Sequence, residues 1–400
     1  MTAAPRINYP STRPFDYAAA SFVATKSCVK RHQGWRGVAD RDGCLTSHLL
    51  HTTLHTNRII STQSCSGGGK LKRWMITLGL GVVVLVVTVV AAGYLATMSV
   101  VGHFAPSFKA TPADYGLRAE AISFRSLDGI ELKGWWIPAQ GSPAVGHGTV
   151  LGTVVLAHGN GGNRSSMLAR AAFLARNGYN AFPIDLRAHG ESAGNYMTPG
   201  YLEALDILGA VEAAKRQGQK GKFVVLGHSY GARAALWAAA QSKEISAVIA
   251  DSGFVSIYGS LHREAARVGT DPNASFWEKV GLRMANSLSG SSWARAFMET
   301  AYHWRTGARL PSQFDDVTPA ILEIGNRPIL FIVGENDHIA PREDSQHMYD
   351  VAQSPMKGIL LVPDADHNST FTAQPDVYRT RVLDFLDDTL TVRAHGSSVR

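Results

Sequence analysis

Ser229, Asp337 and His367 are the residues whose types and order could carry nucleophilic chemistry. A serine hydroxyl is a poor nucleophile at neutral pH unless an imidazole takes its proton. The imidazole in turn needs a carboxylate to fix its tautomer. Ser229 sits in Gly227-His228-Ser229-Tyr230-Gly231, a G-x-S-x-G pentapeptide. That pattern marks a serine at a sharp turn from strand to helix. The flanking residues suit the turn. Phe223 to Leu226 is a short β-branched run fit for a buried strand, and Ala232 to Ala240 is a strong helix former. Glycines at 227 and 231 remove Cβ atoms that would crowd such a turn. A buried serine in a Gly-rich turn is the plain alternative, and the strand and helix on either side favour the nucleophile.

Asp337 follows the apolar run Ile329–Val333, and His367 follows Gly358–Val362. In a doubly wound sheet, functional groups gather at the carboxyl ends of strands, and both residues fall there. Each alone reads more simply as a turn aspartate or a surface histidine. Together, in the order Ser…Asp…His, they form a triad pattern. Glu335 and Asp364 are rival acids, and His338 and His347 rival bases, although His347 falls within an expected helix.

An acyl-transfer intermediate also needs fixed N–H donors for its oxyanion. The backbone N–H of Tyr230, at the start of its helix, supplies one. The other is expected from the loop His158-Gly-Asn-Gly-Gly-Asn163, with Asn160 as the donor and Gly161 as a second choice. That loop lacks both the P-loop lysine and the dinucleotide glycine spacing, so phosphate binding is disfavoured.

These residues need a scaffold, and the chain spells one out. Ala119–Ser126 and Glu131–Ile137, joined by Asp128-Gly129, predict a β-hairpin. From Thr149 onward strands alternate with helices, which predicts a mostly parallel sheet covered on both faces. Strands are expected at 153–157, 179–184, 222–226, 245–250, 328–333 and 358–362. Helices are expected near 165–177, 201–216, 342–353 and 375–390. Residues 254–325 interrupt the alternation and are expected to form a cap. The stretch holds Phe276, Trp277, Trp293, Phe297, Met298 and Trp304. These could lid an apolar pocket for an acyl or aryl group, although packing the cap on the sheet is the expected role for most.

At this point the sequence resembles the α/β-hydrolase superfamily over roughly residues 119–390. The resemblance rests on His158-Gly159-Asn160-Gly161, Asp185-Leu-Arg187-Ala-His189-Gly190-Glu-Ser192, the Ser229 pentapeptide, Asp337 and His367. It is greatest to the branch with serine aminopeptidase-like, monoacylglycerol lipase-like and membrane-anchored acyl-hydrolase members. It implies an α/β-hydrolase fold, and hydrolysis of an ester, thioester or amide through an acyl-enzyme, with no cofactor. Arg187 and His189 would shape the site. Ala188 departs from the pattern, standing where the family usually has glycine. The rival from another class is a catalytically silent binding protein on a hydrolase scaffold, and a complete triad argues against it.

Charge and hydropathy divide the rest. The first 73 residues hold 11 of the 39 Lys and Arg but only 3 of the 32 Asp and Glu, so the remainder is within one charge of neutral. The overall net charge of +7 is therefore no argument for nucleic-acid binding. Residues 1–69 show no sustained period, and 1–73 are expected to be a disordered basic tail. A start at Leu71 would omit most of it. All three cysteines, Cys28, Cys44 and Cys65, lie there. With His48, His51 and His55 they match no standard zinc spacing, so no metal is expected.

Trp74 to Val101 carries no charged residue, with Lys70, Lys72 and Arg73 immediately before it. About 20 apolar residues cross a bilayer core, so 74–101 is expected to be a single transmembrane helix. The basic flank places the N-terminus in the cytoplasm and the hydrolase domain outside. A cleaved signal peptide competes, but its apolar region is typically about 7–15 residues. Residues 102–118 are expected to be a linker, 119–392 the hydrolase domain, and 393–400 a frayed tail. The expected partners are a small-molecule or lipid-like ester substrate and the membrane.

Overall fold

The computed structural model describes residues 67–390 apart from 103, 141–149, 220 and all but isolated positions of 271–314. The expected tail up to residue 66, the loop 141–148, the cysteines and most of the cap aromatics lie outside the described residues; residues 67–73, expected in the tail, instead begin the first helix.

The first element, α1, is a continuous helix over Gly67–Val101. It starts seven residues before the uncharged run and ends with it. Residues Lys72–Ala91 are exposed along the whole helix surface. The hydroxyls of Thr77 and Thr88 donate to the carbonyls of Arg73 and Val84, one turn back. That local bond lets a hydroxyl sit in an apolar helix without an unmet donor.

The sheet has eight strands. They are β1 (Glu120–Arg125), β2 (Glu131–Trp136), β3 (Gly152–Ala157), β4 (Tyr179–Ile184), β5 (Phe223–His228), β6 (Ile245–Asp251), β7 (Ile329–Gly334) and β8 (Lys357–Val362). Their spatial order is β1-β2-β4-β3-β5-β6-β7-β8. The hairpin β1–β2 is antiparallel and joins β4 antiparallel; every other pairing is parallel. The chain steps from β3 outward to β4, then back across β3 to β5. Loops leaving β3 and β5 therefore part in opposite directions and open a crevice between them.

Two apolar layers hold the sheet. Alternate residues of a strand face opposite sides. Val155, Ala157 and Val225 join one core with helices α3 (Glu203–Arg216) and α4 (Tyr230–Gln241). Val154, Leu156, Val224 and Leu226 join the other with α2 (Leu168–Arg176) and α9 (Pro375–Leu390). Between them the chain adds α5 (Ile257–Thr270), α6 (Thr318–Ile324), α7 (Arg342–Val351) and the short α8 (Thr370–Ala373).

The excursion expected as a cap has a defined root. Ser256 and Asp316 form an isolated antiparallel bridge, and the Val317 N–H donates to the Val255 carbonyl. Arg233, wholly buried on α4, donates to the carbonyls of Phe254, Val255 and Asp315 and so holds both ends. Residues beyond Val317 behave differently from the expected cap. Val317, Ala320, Ile321 and Ile324 are buried in the main core. Three of them, Ala320, Ile321 and Ile324, lie on one face of α6, and Val317 caps its start, so the helix docks on the domain itself.

Buried charges brace the loops at the carboxyl edge. Arg187 makes a forked pair of bonds to Asp206 on α3 and to Asp128 in the β1–β2 turn. Arg164 pairs with Asp185 and Glu191. Removing one partner of a buried pair strands the other charge, which typically costs about 3–5 kcal/mol. Asp206→Ala is therefore expected to lower unfolding free energy by about that amount, seen as a fall in the urea midpoint at unchanged slope.

Candidate active site

The turn between β5 and α4 presents Ser229. Its backbone has φ 55° and ψ −117°, a region that side-chain-bearing residues rarely adopt. Two features hold it there. The Ser229 N–H donates to the Asp251 carbonyl at the end of β6, 2.8 Å away. The flanking glycines have no room for more: a Cβ on Gly227 would overlap the Gly231 carbonyl, and one on Gly231 would overlap the carbonyl of Ala157 on β3. The close approach brings the β3 loop beside the serine. A Cβ on Gly159 would stand 3.2 Å from the Ser229 Cβ.

His367 and Asp337 meet Ser229 from the loops after β8 and β7, along the same carboxyl edge. The Ser229 Oγ lies 2.9 Å from His367 Nε2, and His367 Nδ1 lies 2.9 and 3.0 Å from the two Asp337 oxygens. Asp337 Oδ1 also accepts the N–H groups of Ile339 and Ala340, at 3.0 and 2.8 Å. Those bonds fix the carboxylate before it meets the imidazole. All three side chains are buried, His367 at the limit with 9% exposure. With Nδ1–H donating to Asp337, Nε2 is left as the acceptor for the serine proton. That is the arrangement a general base needs.

The rival residues stand elsewhere. Glu335 is exposed and accepts the Asp364 N–H at 3.2 Å. His338 is exposed. His347, on α7, lies 3.2 Å from the Thr318 hydroxyl.

The expected oxyanion donors divide. Tyr230 is the first residue of α4, where a helix leaves its leading N–H groups without internal acceptors. Its N–H and that of Asn160 have no acceptor among the described residues. The Gly161 N–H differs, because it donates to His189 Nε2 at 3.2 Å. That bond ties the loop in place and leaves Asn160 as the better-placed donor.

The sequence assigns no chemical role to several residues that shape the site. His158 is wholly buried beneath the loop. Its Nδ1 lies 2.7 Å from the Gly159 carbonyl and its Nε2 accepts the Leu186 N–H at 3.1 Å. Only a neutral ring can donate at one nitrogen and accept at the other. Burial, and then the neighbouring His189 ring, push its pKa down to about 3. Deeper still, Asp251 accepts from Arg170, Tyr378 and Thr370. Burial pushes the Asp251 carboxyl up, but Arg170 and the other partners outweigh it and hold the carboxyl below the usual range. These partners lie 81 to 127 positions from Asp251 in the chain, so no local signal joins them. His228, beside the serine, lies 3.8 Å from Asp251 and packs against the His367 ring at 5.5 Å. Ala188, at the family's glycine position, has φ 58°. The preference for glycine there is therefore a backbone requirement.

Among the described residues no group of three His, Cys, Asp or Glu could hold a metal. The cysteines and His48, His51 and His55 lie outside them.

A mostly parallel sheet with a crevice at its switch point defines a class of α/β proteins, and the comparisons support that fold. Residues 154–381 match the alpha/beta hydrolase family, and the chain belongs to that family. It is 28% identical over 273 residues to YfhR of Escherichia coli (strain K12), covering 67% of this chain and 80% of the relative. It is 26% identical over 318 residues to the bem46 protein of Schizosaccharomyces pombe, covering 76% and 91%. Among solved structures, the Pyrococcus furiosus esterase Pf2001 aligns with a TM-score of 0.56 and 24% identity. That alignment covers 72% of this chain and 99% of the esterase.

The neutral His158 sets an acid limit on stability. Its ordinary pKa is near 6.5 and its folded value about 3. Below pH 6.5 the unfolded chain takes up a proton that the folded chain refuses, so stability falls as pH falls through that window. The loss approaches roughly 4–5 kcal/mol near pH 3. Urea unfolding at stepped pH is expected to show this slope, and His158→Gln should flatten it. An equally steep acid limb in the variant would count against the assignment.

Proposed function

We propose that this chain is a membrane-anchored serine hydrolase that cleaves an ester, thioester or amide bond through an acyl-enzyme. Ser229 Oγ adds to the substrate carbonyl while His367 Nε2 takes its proton. Asp337 holds the imidazole in the required tautomer and stabilises the imidazolium. The backbone N–H groups of Tyr230 and Asn160 receive the oxyanion. His367 then gives the proton to the leaving group, and water releases the acyl group by the reverse sequence. No step in this cycle calls for a cofactor.

One observation carries the reading: the unbroken chain of contacts, all within 3.0 Å, from Ser229 Oγ through His367 to Asp337. The fold likeness to an esterase is in keeping with it. A silent binding protein has no physical need to hold a strained serine against a carboxylate-oriented imidazole. The substrate is a small-molecule or lipid-like ester.

The anchor is the uncharged run 74–101 within α1, with the basic residues before it on the cytoplasmic side. The hydrolase domain, 119–392, then lies outside the cytoplasm. The excursion rooted at Ser256 and Asp316 is its cap.

Hydrolysis of p-nitrophenyl butyrate tests the chemistry. Ser229→Ala and Asp337→Asn are each expected to lower kcat by roughly 10³–10⁴-fold or more, with little change in KM. A Ser229→Ala protein that kept more than a tenth of the rate would overturn the assignment.

A further inference from the structure

The segment that follows α1 is built into the rim of the site. The Phe104 N–H donates to the Ala188 carbonyl at 2.7 Å, and the Gly190 N–H donates to the Phe104 carbonyl at 2.9 Å. Its ring stacks on His189, with centroids 5.3 Å apart. His189 in turn accepts the Gly161 N–H, in the loop that lies against Ser229. Phe104 and Tyr230 both pack against the small apolar cluster of Met197 and Tyr302. Farther on, Asn163 donates to the Pro106 carbonyl at 2.9 Å and Phe108 lies 4.4 Å from the Arg164 guanidinium. The chain therefore reaches the domain at the mouth of the Ser229 crevice.

The distance from the helix to that mouth is short. Val101 ends α1, and three peptide steps to Phe104 span at most about 11 Å. The uncharged run Trp74–Val101 is 28 residues long. As a helix it measures about 42 Å, close to the roughly 40–45 Å of a bilayer with its headgroup layers. The first charge after it is Lys109. Trp304, two residues beyond the buried Tyr302, is 76% exposed. Indole rings favour the membrane–water boundary.

From this placement we infer that the substrate is a carboxylic ester of a lipid resident in the protein's own bilayer. The inference rests on the serine-hydrolase reading above. A mouth no more than about 11 Å beyond the headgroup layer can take a lipid whose ester carbonyl is drawn up from the boundary of the acyl layer. Ser229 Oγ adds to such a carbonyl, and the lipid alcohol leaves with the proton from His367. Water then cleaves the acyl-serine to release a fatty acid and restore the hydroxyl. The sum is ester plus water giving acid plus alcohol.

The test uses the full chain in phosphatidylcholine vesicles that carry a fluorogenic diacylglycerol, assayed beside water-soluble p-nitrophenyl butyrate. One variant carries four EAAAK repeats between Gly102 and His103, a semi-rigid helical spacer of about 30 Å. The expected result is soluble-ester turnover within twofold of the natural chain and lipid turnover at least tenfold lower. A second variant, Trp304→Ser, is expected to lower lipid turnover at least threefold and spare the soluble ester. It decides the matter if the spacer chain fails to fold. Lipid turnover unchanged by both variants overturns the inference. So does a natural chain that cleaves the soluble ester but no lipid, whether its substrate is an acylated protein or its helix is removed as a signal. A natural chain that cleaves neither fails the hydrolase reading itself, and this inference with it.

Discussion

The close approach of β5 and α4 to the end of β3 is the constraint on which the site depends. It leaves no space for a side chain at Gly227 or Gly231. It also drives Ser229 to a positive φ that its neighbours must hold in place. Such strain costs of order 1–3 kcal/mol and persists only where the surroundings over-determine it. Here the bond from Ser229 N–H to Asp251 and the packing on Ala157 do so. The same turn starts α4, so the conformation that lifts the hydroxyl also aims the Tyr230 N–H. The position of the nucleophile and that of an oxyanion donor thus have one cause.

The rest of the carboxyl edge is organised around that turn. Asp251 lies behind the serine, fully buried, and is satisfied by Arg170, Thr370 and Tyr378. Those residues come from α2, α8 and α9, so the network ties the helices of one face to the end of β6. On the other side, Arg187 bridges Asp206 and Asp128 and braces the loop that carries His189. Satisfied buried charges of this kind give rigidity and register more than net stability.

Much of this was legible in the residues. The strands appear within two residues of their expected limits, because β-branched runs bounded by turn residues have few other ways to fold. Asp337 and His367 are each weak signals alone, and chain order after successive strands joins them to Ser229, which its own strand and helix already mark. The brace around Asp251 was not legible, since its members share no spacing and meet only through the fold. His158 read as part of a glycine loop, and nothing local distinguished it from a surface ring. Residues 317–324 fall within the 254–325 stretch that interrupts the strand–helix alternation, and nothing local sets the short helix α6 apart from it. The docking of 104–118 was hidden for a related reason. Phe104 and Phe108 are isolated aromatics with no period, and their partners His189, Trp135 and Arg164 lie well beyond any local spacing.

Peptide mapping after reaction with a fluorophosphonate reaches the central claim most directly, because that reagent modifies a serine only when a neighbouring base has made it nucleophilic. A single adduct on Ser229, absent from a folded His367→Ala chain, is the expected result. An unmodified Ser229 in the folded natural chain, or an adduct on another serine alone, would contradict it.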